Sequence, residues 1–226
     1  MKNIVFDTGG IITLATNDLL WTLEKLKNKY NGDFCIPHSV KYELVDKPLG
    51  IKKFKLEAIM VNQLILDGVL DVHDPLNVDE LLELVNNIFS SKGKNIHILD
   101  RAEVEAMSLV LRLKADAYVV DERTMRMLIE DPKSLHKLLE RKLHIKIQID
   151  NKKVKEFRQI VKGVKIIRSS ELMLIAYELG LFNHLISKEH DSSDLLDGLL
   201  WGLRLRGCGM STDEINKIIK FESKIK

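Results

Sequence analysis

The 226 residues are enough for one large domain or two small ones, and 45% apolar with 30% charged residues is the make-up of an ordinary globular chain. No apolar stretch approaches the roughly 18 residues that a membrane span needs, and two cysteines, Cys35 and Cys208, are too few for a disulfide framework or a zinc ribbon. The formal charge of only +2 conceals a basic stretch: between Lys133 and Arg168, twelve Lys or Arg stand against three acids, Glu140, Asp150 and Glu156.

The first run, NIVFD, reads as a buried strand that ends at Asp7 and breaks at Gly9-Gly10. It carries no secretory leader pattern, so the expected location is the cytoplasm with nothing removed. Asn17 is expected to cap a helix through about Tyr30, with Leu19, Leu20, Leu23 and Leu26 on its apolar stripe. DFCIP reads as a second strand. Pro37 suits the start of a helix that carries Val40, Glu43 and Leu44 and stops at Pro48. A longer helix over 51–67 ends at Gly68, and VLDVHD is a further strand. Asn77 and Glu80 have the spacing of a capping box for a helix reaching about Ser91.

Asp100 opens the next helix. Glu103 shares a stripe with Ala106, Met107 and Val110, which is the core-facing side, whereas Glu105 shares its face with Ser108 and Arg112 and is expected in solvent. AYVVD is a strand closed by Asp121, with Glu122 beside it, and a short helix follows over Arg123–Ile129. GVKIIR reads as another parallel strand, and helices are expected at about 170–179, 192–206 and 211–222. Gly180 ends the first of these, and Ser211 with Glu214 caps the last. With no internal repeat and no linker, the expectation is one α/β domain over 1–226. It carries a basic insertion at about 130–162 and a helical C-terminal part at about 170–226.

Strand ends and helix mouths in a parallel α/β pattern converge on one cleft, so Asp7, Glu43, Glu103 and Asp121 are candidates for a shared site. Close carboxylates repel by about 4 kcal/mol per pair at a surface-like dielectric, and a hard divalent cation, Mg²⁺ or Mn²⁺, relieves that crowding. Each acid also has a plainer reading. Glu103 fits a capping box with Asp100, Asp7 and Asp121 fit turn or cap positions, and Glu43 fits a helix-surface charge. The basic block beside such a cleft is the distribution expected when a phosphate polymer approaches carboxylates, although a solvated lysine-rich face looks the same. Histidines and cysteines lack zinc-ligand spacing, and no nucleophile elbow or phosphate loop is present. FDTGG superficially resembles the start of haloacid-dehalogenase-type phosphatases, but Gly9 stands where that family has its acid/base aspartate.

IVFDTGGIITLA, CIPHSVKYEL and LDRAEVEAMSLVLRLKADAYVVDERTMR together resemble the PIN-domain nucleases, the last piece resembling the Gly-Glu-Ala-Glu-Ala helix and Asp-Asp-x-x-x-Arg strand end of prokaryotic, toxin-like members. VKIIRSSELMLIAYELGLF and GCGMSTDEI resemble their closing strand and helices. The resemblance implies a three-layer α/β/α domain on a parallel sheet, here with extra C-terminal helices. It implies an endoribonuclease that uses Mg²⁺ or Mn²⁺ and leaves a 5′-phosphate and a 3′-hydroxyl. Asp7, Glu43, Glu103 and Asp121 would be the catalytic and metal-binding acids, with Glu122 a further metal ligand. Arg126, Lys137, Arg141, Lys142, Lys152, Lys153 and Arg158 would contact single-stranded or structured RNA. A homodimer is reasonable by the same resemblance, and a small protein inhibitor, as in toxin–antitoxin pairs, is a further expected partner. Gly9 replaces a frequent Ser, Thr or Asn, and Glu103 replaces a frequent Asp. Those departures leave a second reading open, a catalytically weak PIN-like scaffold that binds RNA or a protein, for which the leucine-rich helix DLLDGLLWGLRLRG would offer a surface.

Overall fold

Three successive apolar residues, Ile4, Val5 and Phe6, are buried on both sides in strand β1 (Asn3–Phe6), the centre of the sheet in a computed structural model that describes residues 2–223. Near-continuous apolar runs of this kind are what a strand needs when helices cover both faces of a parallel sheet. After β1 come α1 (Thr8–Thr16) and α2 (Trp21–Tyr30), then β2 (Asp33–Pro37) and α3 (His38–Lys41). A π-helical turn over Tyr42–Asp46 continues α3, closed by a hydrogen bond from the Lys47 amide to the Tyr42 carbonyl at 2.9 Å. Short 3₁₀ turns at Pro48–Gly50 and Lys52–Phe54 lead into α4 (Lys55–Leu66), β3 (Asp71–His73), α5 (Asp79–Asn86), β4 (Phe89–Ser91) and β5 (Lys94–Asn95). The chain continues through α6 (Arg101–Leu113), β6 (Ala117–Val119), α7 (Arg123–Glu130), α8 (Pro132–Leu143), β7 (Gln148–Ile149), α9 (Asn151–Ile160) and β8 (Ile166–Ile167). Helices α10 (Ser169–Glu178), α11 (Ser192–Leu205) and α12 (Thr212–Glu222) follow.

The main sheet runs β3-β2-β1-β6-β8 with every neighbouring pair parallel. Chain order therefore moves outward from β1 on one side and returns on the other, and right-handed crossovers place the two sets of connecting helices on opposite faces. Packing agrees: α1 lies against α4 and α10, whereas α6 lies across β1 and β2 and packs on α5. The reversal of strand order falls between β1 and β6, which puts their carboxyl ends side by side at the point where parallel sheets open a crevice. The parallel sheet flanked by helices, and the added C-terminal helices, agree with the sequence-based expectation.

Residues 130–162 are tied into the body. β7 pairs antiparallel with β4, which pairs with β5, and Leu135, Leu139, Ile147, Phe157 and Val161 join the same apolar cluster as the main sheet. The Phe89 ring stacks on His136 of α8 with centroids 6.2 Å apart and planes 5° from parallel. Among the described residues no helix is long and apolar enough to cross a membrane. Both cysteines are buried and free.

Five local expectations are corrected. Gly9 and Gly10 do not break the chain; they lie in the first turn of α1, and Asn17 closes that helix rather than opening the next. A Cβ on Gly10 would stand 3.0 Å from Val119 Cγ1, so glycine is what lets α1 sit this close to β6. Asn77 and Glu80 form no capping box: Val78 holds the N-cap position, and the Asn77 side chain accepts from the Asp79 amide at 3.1 Å. The helix ends at Asn86 and not near Ser91, because residues 89–91 pair with β7 across nearly sixty residues of sequence. Glu105 is buried rather than solvated, and its carboxylate accepts from the Leu76 amide at 2.9 Å.

Candidate active site

Asp7 follows the last residue of β1 and stands at the N-cap position of α1, its amide bonded to the Val119 carbonyl at 2.9 Å. The residue is 3% exposed, and its Oδ1 is buried with no hydrogen-bond partner. Burial pushes the pKa up to about 7; the amides of Thr8 and Gly9 pull it down, and the charges of Asp100 and Glu43 push it further up. A carboxylate oxygen left bare in the protein interior is costly unless a cation or a donor meets it.

Asp121 stands on the adjoining strand end, two residues past β6, and is also buried. Its two oxygens are held by the first residue of α10, Ser169: the amide donates at 2.8 Å and the hydroxyl at 2.7 Å. Gly9 lies between the two aspartates. A Cβ there would be 3.6 Å from Asp7 Oδ2, 3.8 Å from Asp121 Cβ and 4.0 Å from the Glu122 nitrogen, all ordinary contact distances. A β-carbon would thus fit between the acids.

Glu103 and Asp100 form a full capping box at the mouth of α6, with the Glu103 amide on Asp100 Oδ1 at 3.0 Å and the Asp100 amide on Glu103 Oε2 at 2.7 Å. The plain reading of Glu103 as a cap is therefore correct. Burial raises its pKa to about 8, against the pull of the Asp100 amide, and the charges of Asp100, Asp7 and Glu122 add to the rise. Glu43 sits in the π-helical turn, where Thr8 Oγ1 donates to its Oε2 at 2.7 Å. One-turn π insertions recur at functional sites because they redirect a single side chain. Glu122 caps α7 by accepting from the Met125 amide at 2.8 Å. Of the neighbouring pair, Asp121 is the one turned into the protein and Glu122 the half-buried one at the rim.

Asp7, Glu43, Glu103, Asp121 and Glu122 are thus gathered at one end of the sheet. Sequence reasoning overlooked four of their neighbours. Thr8 and Ser169 hold two of the carboxylates, and Asp100 adds charge. Tyr118, fully buried with an unpartnered hydroxyl, lies in the field of Asp7 and Glu103, which with burial raises its pKa. The RSSEL start of α10 was the available signal for Ser169, since a serine at the first helical position just past a strand end lies near the neighbouring strand end.

The basic residues divide. Arg126 borders the acids, its Nη2 on the Gly209 carbonyl at 3.5 Å and its Nε buried and unpartnered; a Cβ on Gly209 would be 3.7 Å from the Asp121 carbonyl. Lys137, Arg141 and Lys142 are exposed on α8, and Lys152, Arg158 and the half-buried Lys153 lie on α9. The hydrogen bonds reaching the acids come from α1, α6, α7 and α10 rather than from these helices. Arg168, the last cation of the basic stretch, is not available to a ligand. It is buried, bonded to the Gly209 carbonyl at 3.1 Å and to Glu171 at 2.6 Å, and paired with Glu214.

The model of a family described as DUF3368, a PIN domain, matches residues 3–131, which run from β1 to the end of α7 and contain all five acids and Arg126. The chain belongs to the PIN-domain family. Comparison with curated proteins and with solved structures returns no match. PIN domains have a nuclease-type fold, are generally nucleases and typically use divalent metal ions. Among the described residues, no three acidic, histidine or cysteine side chains stand ready as a metal cage. Glu43, Glu103, Asp121 and Glu122 each have an oxygen on a protein donor. The bare Oδ1 of Asp7 is what suits a hard cation, and oxygen donors alone at this end of the sheet suit Mg²⁺ or Mn²⁺ better than a soft metal.

Proposed function

We propose that this PIN domain is a metal-dependent endoribonuclease acting on single-stranded or structured RNA. The observation that carries the reading is the buried, unpartnered oxygen of Asp7, surrounded by Glu43, Glu103, Glu122 and the Ser169-bound Asp121 at the switch point of the sheet. Asp7, Glu43, Glu103 and Asp121, with Glu122, would hold one or two Mg²⁺ or Mn²⁺ ions. When bound, such an ion supplies an acidified water and neutralises charge on the phosphate in the transition state.

The chain's own residues prepare the site. Ser169 fixes the orientation of Asp121 through both of its oxygens, and Thr8 does the same for one oxygen of Glu43. The capping box anchors Glu103 to the mouth of α6. Arg126 supplies positive charge at the rim, where a guanidinium meets phosphate oxygens well. With pKa values raised to about 7 and about 8, Asp7 and Glu103 are partly protonated near neutral pH, which lowers the negative charge gathered at this end of the sheet.

A second reading, a PIN scaffold that binds RNA or protein without cutting, draws support from the protein donors already engaged by four of the acids. Cleavage of end-labelled RNA separates the two. The nuclease reading expects Mn²⁺-dependent cutting that stops in EDTA and in Asp7→Asn. Salt-sensitive RNA binding with no cutting in Mg²⁺ or Mn²⁺ supports the scaffold instead, and equal cutting by Asp7→Asn refutes the assignment of these acids.

A further inference from the structure

Beside the acids, a cavity of about 420 Å³ opens between α1, the π-helical turn and α4, with Thr8 and Glu43 among its lining. Its walls are apolar, made by Ile12, Leu44, Ile51, Phe54, Ala58 and Val61. Two polar features break that surface. Glu57 lines the cavity, and its Oε2 is buried without a hydrogen-bond partner. Lys47 also lines the cavity and is exposed, and Lys53, beside Phe54 in the chain, holds its Nζ over the half-exposed ring of Phe54, 5.0 Å from the centroid. Lysines interleaved with an exposed aromatic suit a nucleic-acid strand, whose phosphates meet the cations while a base lies on the ring.

We propose that this cavity is a guanine subsite for an RNA nucleotide next to the cleaved bond, with Phe54 as its stacking platform and Glu57 as the group that reads the base edge. The inference rests on the ribonuclease reading, since the cavity shares Thr8 and Glu43 with the acid site. The choice of base follows from donor chemistry. Guanine presents two adjacent N–H donors, N1 and the 2-amino group, to which a carboxylate is complementary. Adenine and cytosine each offer an amino group beside a ring acceptor that would face the carboxylate, and uracil offers one N–H between two carbonyls. An apolar protein segment filling the same cavity would leave the buried Glu57 oxygen unpaired and set Lys47 and Lys53 against it, so a nucleotide fits the charges better.

The test is fluorescence anisotropy with the full chain in EDTA, using fluorescein-labelled UUGUU, UUAUU and the inosine form UUIUU, which lacks the 2-amino group. The expected result is about tenfold tighter binding of UUGUU than UUAUU, with UUIUU between them. Glu57→Gln should bring the three to within about twofold of one another, while Phe54→Ala weakens all three together. Equal binding of the three by the unaltered protein overturns the proposal without any variant. So does a guanine preference that survives Glu57→Gln, or a Phe54→Asp variant that turns a dimer into a monomer while leaving the preference intact. Because the binding arm contains no metal, failure of cleavage with Glu57-dependent guanine preference intact would refute the nuclease reading alone. Cleavage without base preference would refute the subsite alone.

Discussion

Asp7 concentrates the physical conflict of the site. Burial lifts its pKa from the ordinary 3.8 to about 7, so the folded protein holds that proton more tightly than the unfolded chain does. The carboxyl therefore favours folding most below about pH 4, and that contribution is lost as pH rises through 7. At about 1.4 kcal/mol per tenfold in proton affinity, the cost of the ionised form approaches about 4 kcal/mol above pH 7. Asp7→Asn removes the charge while keeping the shape. It should raise the melting temperature of the metal-free protein by about 8–16 °C at pH 8 and change little at pH 4, measured by thermal denaturation in EDTA. Ser169 makes the opposite case, because Ser169→Ala leaves a buried Asp121 oxygen without its donor. That variant should cost about 1–3 kcal/mol in urea denaturation and slow cleavage with it. The aspartates were legible in the sequence, since each ends a buried run. Glu105 was not: its partner is the amide of Leu76, twenty-nine residues earlier, and a helical stripe reports only neighbours on the same helix.

At the scale of elements, α1 shows how a local signal was overridden. A glycine pair after a strand reads as a turn, yet here the pair starts a helix that lies close against β6, where a Cβ at position 10 would stand 3.0 Å from Val119 Cγ1. Gly10→Ala gains helix propensity but forces Cβ against Val119 Cγ1, so we expect a net loss of about 1–3 kcal/mol in denaturant midpoints. Gly9→Ser, a few ångströms away, meets only ordinary contacts and should leave stability within about 0.5 kcal/mol. Long elements with strong stripes, such as α6 and α11, were readable from periodicity. β4, β5 and β7, two or three residues each, have no period to detect and exist through pairing across the chain. The π-helical turn that carries Glu43 was equally hidden, because one inserted residue leaves no mark in the pattern of apolar positions.

For the molecule as a whole, the alternation of strands and helices foretold the parallel sheet. It did not foretell which strands would be neighbours. That depends on the β1–β6 pairing, and this pairing is what brings Asp7 and Asp121 together from 114 positions apart. Charge is also arranged at this scale: one basic surface lies on α8 and α9, and a second group of exposed lysines, Lys47, Lys52, Lys53 and Lys55, lies on the segment leading into α4, with Lys47 lining the apolar cavity. If the α8–α9 surface binds RNA by its phosphates, then Lys137→Glu combined with Arg141→Glu should weaken binding of all sequences alike. The same change should lower the slope of log affinity against log salt by about two. Unchanged affinity and slope would leave the route to the cavity-side lysines.

The central claim is that the acids around Asp7 form a cation site, and calorimetric titration of the full chain with Mn²⁺ tests it most directly. The account predicts saturable binding that releases protons, is tighter at pH 8 than at pH 6, and disappears in Asp7→Asn. Absence of binding at both pH values, or the same binding in the variant, would contradict it.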